Sequence, residues 1–213
     1  MARRTKEDAQ ETREAILDAA EDCLVESGVA RTSLEAIATR AGVTRGAVYW
    51  HFKNKAEVVD AVVNRVSLPF YHGLERVSRA DGTTPLRDLR EMLRASFSDL
   101  ANTPRVRCVI EVIELRSEVP AEGDAISDLR KAGMRKTHAR ISAAFARAAA
   151  LGQLRPDMDP ESCARSLHFV IFGALRMYLL DPEHIDLKRD GLAAIDLALR
   201  AVASDPAHLG PVA

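Results

Sequence analysis

A chain of 213 residues, 47% hydrophobic and 29% charged, is long enough for one small and one larger domain, or for one helical domain with a sizeable core. Its 30 Lys and Arg against 31 Asp and Glu leave a formal net charge of -1, so bulk charge draws it to no nucleic acid and any DNA affinity has to be local. Cys23, Cys108 and Cys163 lie far apart and in no Cys-x-x-Cys spacing, which excludes a zinc or paired-thiol motif and fits a reducing cytoplasm.

The start of the chain is basic through Lys6 and turns acidic at Glu7 and Asp8 without an apolar run, so no signal peptide is expected. The periodicity predicts a first helix from about Glu7 to Ser27, with Ile16, Ala20, Cys23 and Leu24 on one face and Gly28 as its stop. Thr32 with Glu35 forms a capping box for a short second helix carrying Leu34, Ile37, Ala38 and Ala41, ended by Gly42. Thr44 caps a third helix, and Val43 and Val48 have the spacing of a hydrophobic staple. Asn54 and Glu57 open a fourth helix whose Val59, Val62, Val63, Val66 and Phe70 share a face, with a kink expected at Pro69.

Thr84-Pro85, Thr103-Pro104 and Asp159-Pro160 each pair an N-cap residue with proline at the first helical position. Between them Ala125 to Ala150 reads as a long helix stopped by Gly152, and Gly191 to Ala203 as a last helix before a tail, Ser204 to Ala213. The most apolar stretch, Leu167 to Leu180, reads as too short for a membrane span and carries Arg176, so a soluble protein is expected. The fold class is therefore all-α, with about nine helices: an N-terminal three-helix domain and a C-terminal helical domain.

Two short helices around Ala41-Gly42-Val43 match the helix-turn-helix plan, in which the second helix enters the DNA major groove. No acidic residue lies between Glu35 and Glu57, while Arg40, Arg45, Lys53 and Lys55 supply four positive charges and His51 a further donor. Arg45 is the expected base reader, able to make a bidentate contact with guanine worth roughly 1 to 3 kcal/mol of discrimination. Gly46 lets backbone approach the groove; Ser33, Thr44, Tyr49, His51 and Lys55 suit phosphate contacts. Trp50 and Phe52 are expected to anchor the helix to the core, and the string Tyr49-Trp50-His51-Phe52 also fits a buried aromatic knot.

The string Thr32-Ser33-Leu34-Glu35-Ala36-Ile37-Ala38, with Ala41-Gly42-Val43-Thr44-Arg45-Gly46-Ala47-Val48-Tyr49-Trp50-His51-Phe52-Lys53-Asn54-Lys55, resembles the TetR family of repressors. The opening Ala2-Arg3-Arg4-Thr5-Lys6 and Glu11-Thr12-Arg13 further resemble its AcrR-type subgroup of multidrug efflux regulators. The resemblance covers residues 1–66, read as the DNA-binding domain with its helix-turn-helix at 33–52; residues 67–213 are then the ligand-binding and dimerisation domain. It implies a cytoplasmic homodimer made by the last two helices, a palindromic double-stranded operator, and release from DNA by a small hydrophobic, drug-like effector. Control of unrelated metabolic genes, or activation on the same scaffold, is the alternative.

On their own terms the eighth and ninth helices carry more apolar surface than one side can bury: Cys163, Leu167, Val170, Ile171, Ala174 and Tyr178 on one, Leu192, Ile195, Leu197, Leu199 and Val202 on the other. A dimeric four-helix bundle covers the excess and sets recognition helices roughly 34 to 36 Å apart, although a wide monomer core fits the same pattern. Candidate effector-pocket residues are Met92, Leu93, Ser96, Phe97, Ile110, Ile113, Glu114, Phe169, Phe172 and Arg176, apolar walls with a few polar groups. The same stripes also fit plain core, with Glu114 solvated or paired with Arg176. No Gly-x-Ser-x-Gly, no His-Glu-x-x-His and six scattered histidines argue against an enzyme, and neither cofactor nor metal is expected. An architectural DNA-binding protein and a pure interaction bundle remain as rival classes.

Overall fold

In the computed structural model, which describes residues 6–79, 82–115 and 125–211, the chain folds into α-helices; the described residues contain no strand, only an isolated antiparallel bridge between Leu154 and Ala203. Nine α-helices occur among them: α1 (Lys6–Arg31), α2 (Leu34–Arg40), α3 (Arg45–His51), α4 (Lys55–Arg79), α5 (Pro85–Asn102), α6 (Pro104–Leu115), α7 (Ala125–Ala150), α8 (Pro160–Leu180) and α9 (Leu192–Val202). A π-helical turn, Leu187–Gly191, leads into α9, and a 3-10 turn, Pro206–Leu209, follows it. Residues 2–5 of the basic opening lie outside the described residues.

The chain divides into two units, one of Met1–Ser67 with Cys108–Arg130, the other of Leu68–Arg107 with Lys131–Ala213. The core of the first unit joins Ile16, Leu17, Ala20, Cys23 and Leu24 of α1 to Ile37 and Ala38 of α2, Val48 of α3, Phe52, and Val58, Val59 and Val62 of α4. Val109, Val112 and Ile113 of α6 complete this cluster, so Ile113, expected beside an effector, is packed in the core of the first unit. At its polar edge Arg65 of α4 is gripped by three α1 carboxylates one turn apart: Glu21, which is 4% exposed, Asp18 at 3.0 Å and Glu14 at 3.2 Å. A buried carboxylate such as Glu21 is tolerable only with that charged partner.

Local chemistry explains where these helices begin and end. Gly28 kinks α1 at a φ of 75°, a region open to glycine, and three further residues continue beyond the kink to Arg31. Thr32 is not the cap of α2: its hydroxyl donates to the Cys23 and Gly28 carbonyls, which closes off α1, and Ser33 caps instead. Asn54 Oδ1 accepts from the Glu57 N–H at 3.0 Å, while the Glu57 carboxylate reaches back to the Lys53 N–H at 2.7 Å, one residue earlier than the usual box. α4 runs on through Pro69.

In the second unit α8 and α9 pack on each other, and α5 packs on α9 and on the π-helical turn. Arg90 of α5 is 6% exposed and donates to both Asp196 oxygens, at 2.7 and 2.8 Å, and to the Pro211 carbonyl at 3.1 Å. Of the expected tail, residues 204–211 are thereby docked: Leu209 is buried, and the Ser204 N–H bonds the Gln153 carbonyl at 2.8 Å. The helix over Leu167 to Leu180 starts seven residues earlier, at Pro160 behind an Asp159 cap. At 21 residues it is long and apolar enough, by length and composition, to cross a bilayer, contrary to the expectation from sequence. It buries Cys163, Leu167, Ile171, Tyr178 and Leu179 inside the unit and exposes Arg165 and Arg176, the pattern of an amphipathic helix packed along one face.

Candidate nucleic-acid interface

The turn between α2 and α3 is set by backbone geometry. Gly42 adopts a φ of 66°, the Gly42 N–H bonds the Thr39 carbonyl at 3.2 Å, and the Val43 N–H bonds the Ala38 carbonyl at 3.0 Å, the paired closure of a Schellman motif. Thr44 then caps α3, its Oγ1 accepting from the Ala47 N–H at 3.1 Å; Ser33 does the same for the Ala36 N–H at 3.1 Å. Both caps use an oxygen lone pair as acceptor and leave the hydroxyl proton for an outside acceptor such as phosphate.

The rotation of α3 is fixed by what it buries. Val48 is fully buried with Val43 packed against the same core, and Phe52 is buried beneath the Arg13 guanidinium, 5.3 Å from its ring centre. Thr44, Arg45 and Gly46 are exposed, and Tyr49 is 46% exposed. A Cβ on Gly46 would meet only Thr44 Oγ1, at 3.8 Å, so nothing within the chain requires glycine there, and clearance for an outside body is what its absence provides.

Trp50 departs from expectation. It is 73% exposed rather than a core anchor, because two residues beyond Val48 lie about 200° around a helix of 3.6 residues per turn. Its ring meets His51 edge-on at 4.5 Å, and His51 is half-buried. The i, i+4 pairing of Val48 with Phe52 was the signal in the sequence that could have sent Trp50 outward.

Space also redistributes the charges. Arg40 is held by Glu26 at 2.7 and 2.5 Å, with Asp22 at 3.9 Å, and its guanidinium and the Glu26 carboxyl each favour their charged forms through that bond. Lys55 spends two of its three protons on the carbonyls of Val29 and Ala30, at 3.0 and 3.3 Å. Lys53 lies 3.8 Å from Glu57 but is 87% exposed. The window that lacks acids in sequence is therefore partly neutralised by α1, and Arg45 on α3 faces outward with Tyr49. Arg45 Nη2 donates to Tyr49 Oη at 3.3 Å, a bond that keeps the guanidinium charged, and its Cζ sits 5.4 Å from the Tyr49 ring centre.

The residues expected around an effector separate between the units. Ile110, Ile113 and Glu114 belong to the first, where Glu114 accepts from Arg130 at 3.2 Å. In the second, Met92, Leu93 and Phe97 are buried, Ser96 is half-buried with its hydroxyl on the Met92 carbonyl at 2.9 Å, and Phe172 is half-buried. Phe169, by contrast, is 70% exposed, and it shares an outward face of α8 with Gly173, Arg176, Met177 and Leu180. The dimer residues expected from sequence divide similarly: Cys163, Leu167, Ile171, Tyr178, Ile195 and Leu199 pack inside the unit, whereas Leu197 on α9 is 71% exposed. His168 was missed altogether. It is buried, stacks with His138 at 5.5 Å, meets Phe172 edge-on at 4.9 Å, and has no partner for Nε2; burial above all holds its imidazole below the ordinary histidine range. Among the described residues no group of three or more His, Cys, Asp or Glu is placed to hold a metal.

Residues 16–62 match the family described as bacterial regulatory proteins, tetR family, and residues 84–203 match the C-terminal region of MAATS-type transcriptional repressors. The chain is 37% identical over 207 residues to the HTH-type transcriptional regulator TtgR of Pseudomonas putida, covering 97% of this chain and 99% of that one. Among solved structures, SmeT, the repressor of the Stenotrophomonas maltophilia multidrug efflux pump SmeDEF, superposes with a TM-score of 0.82 at 48% identity, covering 93% of each chain. A SmeT-triclosan complex gives 0.86 at 49%, covering 92% of this chain and 93% of that one. NalD, the secondary repressor of the MexAB-OprM multidrug efflux pump in Pseudomonas aeruginosa, gives 0.80 at 36%, covering 94% of this chain and all of the other.

Proposed function

The chain belongs to the tetR family of bacterial regulatory proteins, with a C-terminal region of the MAATS repressor type, and on that premise we propose that it is a cytoplasmic, sequence-specific repressor of a multidrug efflux operon, released from its operator by a small hydrophobic molecule. The observation that carries the DNA-binding part is the division of α3 into two faces. Val48 and Phe52 lock it to the core, and Arg45, Gly46, Tyr49 and Trp50 face outward as one surface. In this reading Arg45 reads a base edge in the major groove. Ser33, Thr44, Tyr49 and His51 donate to flanking phosphates, and Lys55 adds its remaining proton.

Control of efflux is carried from the relatives, since SmeT and NalD are both described as repressors of multidrug efflux pumps. The homodimer is supported by the outward apolar faces of α8 and α9, with Phe169, Met177, Leu180 and Leu197 exposed on a single chain. A two-fold arrangement through those faces would bury them and present two copies of α3 to a palindrome. The effector is assigned to the second unit, where Met92, Leu93, Phe97 and Phe172 supply apolar and aromatic surface. Its binding would be relayed by α4, whose residues belong to both units.

Footprinting of the purified chain on the DNA upstream of its own gene tests this reading. Protection of a palindrome with half-sites roughly 34 to 36 Å apart, lost in Arg45→Ala and relieved by triclosan or a related hydrophobic compound, is the expected result. A chain that selects no preferred sequence from random duplexes would sink it.

A further inference from the structure

We propose that Tyr49 is a positioning residue that holds the Arg45 guanidinium for base reading, so that it sets sequence discrimination as well as touching the backbone; this rests on the reading of Arg45 as base reader. The two residues are four apart on the outward face of α3, where side chains stack one above the other. Arg45 Nη2 donates to Tyr49 Oη at 3.3 Å, and the guanidinium carbon stands 5.4 Å from the ring centre. The platform is itself anchored, because the backbone beneath both residues is held by the Thr44 cap and by buried Val48 between them.

One phenol can serve both contacts. The Tyr49 oxygen accepts from Arg45 and still has its own proton to give to a phosphate. The guanidinium has five N–H groups, and one spent on Tyr49 leaves a pair for guanine O6 and N7. An exposed arginine otherwise has to be ordered when it binds, which costs affinity and weakens its preference among bases. Held in advance, it turns a displacement of the phosphate contact into a displacement of the reading group. Gly46 has no side chain, and Trp50, five residues on from Arg45, does not stand directly above it as Tyr49 does at i+4.

The test uses the full-length chain and an operator selected by the wild type from random duplexes. Affinities for that operator and its single-base-pair variants are measured at two salt concentrations for the wild type, Arg45→Ala, Tyr49→Phe, Tyr49→Ala and the Arg45→Ala, Tyr49→Ala double variant. Both side chains are exposed, so the variants keep the fold, which circular dichroism checks. Arg45→Ala is expected to flatten discrimination at one base pair per half-site by roughly tenfold or more. Tyr49→Ala should reproduce most of that loss at the same base pair, with the double variant no flatter than Arg45→Ala alone. Tyr49→Phe, which keeps the ring, should retain more discrimination than Tyr49→Ala. If Tyr49→Ala instead weakens every sequence by one factor and lowers the salt slope by about 1, Tyr49 is a phosphate clamp only and the proposal fails while Arg45 as reader stands. If Arg45→Ala leaves every base preference intact, the base-reader reading fails, and the proposal with it.

Discussion

If the proposed homodimer pairs through the outward faces of α8 and α9, Leu197→Glu should separate it while leaving each chain folded. Leu197 is 71% exposed on the outward side of α9, so a single chain loses almost no packing when it is replaced. Burying a leucine side chain contributes about 1.5 to 3 kcal/mol, and the exposed share of Leu197 scales that to about 1 to 2 kcal/mol for each copy. A two-fold interface counts the residue twice, giving about 2 to 4 kcal/mol, or roughly 1.5 to 3 decades in the dimer dissociation constant, before any cost of placing two carboxylates near the axis. Sedimentation equilibrium over a dilution series reads this directly, and operator affinity should fall with it because two half-sites are no longer held together. A Leu197→Glu chain that remains dimeric with an unchanged dissociation constant would show that the outward faces of α8 and α9 are not the interface.

Arg90→Ala removes one partner of a buried pair whose other member, Asp196, keeps some access to water, so a loss near 3 kcal/mol is expected, at the low end of the range for such pairs. In a chain of this size that lowers the melting temperature by about 6 to 12 °C at fixed protein concentration; calorimetry showing a shift below about 2 °C would count against the clamp. His168 predicts acid sensitivity. Its folded imidazole is held low by burial, then by His138 and Arg165, so as pH falls through about 6.5 the unfolded chain takes a proton that the folded one resists, and stability drops. His184, raised by its bond to Asp181, acts in the opposite direction, so the comparison is of slopes: His168→Leu should flatten the stability curve between pH 7.5 and 5.5 by up to about 1.4 kcal/mol per unit, and parallel curves would contradict the assignment. Trp50 is the single tryptophan of the chain and 73% exposed, which makes it a reporter: acrylamide should quench it readily in the free protein and poorly on operator DNA, and equal quenching in both states would take it out of the interface.

The parts of this molecule legible in its sequence are those specified by neighbours along the chain. Gly42, Thr44, Asp159 and Gly152 announced turns and caps that the backbone adopts, since a cap bond spans three residues and a Schellman closure six. Thr32 shows the limit. Its spacing to Glu35 resembled a cap, but its hydroxyl found the Cys23 carbonyl nine residues back, and Ser33 took the role. Trp50, expected as a core anchor, turned outward for a related reason, and the exposure of Phe169, a candidate pocket residue, was equally unreadable: only the position of buried neighbours such as Val48 and Leu167 decided which way each faced.

The helical fold, the turn between α2 and α3 and the likeness to the tetR family were determined by the sequence alone, because helix periodicity, capping and that motif are short-range patterns. Tertiary structure decided what those residues are free to do. It tied Arg40 to Glu26 and Lys55 to the end of α1, so that much of the apparent basic window is already engaged. It drew Ile113 into the core of the first unit and docked Pro211 against Arg90. Hydrogen-bond partners and burial depend on residues tens of positions apart, and no local pattern records which of them the fold brings together.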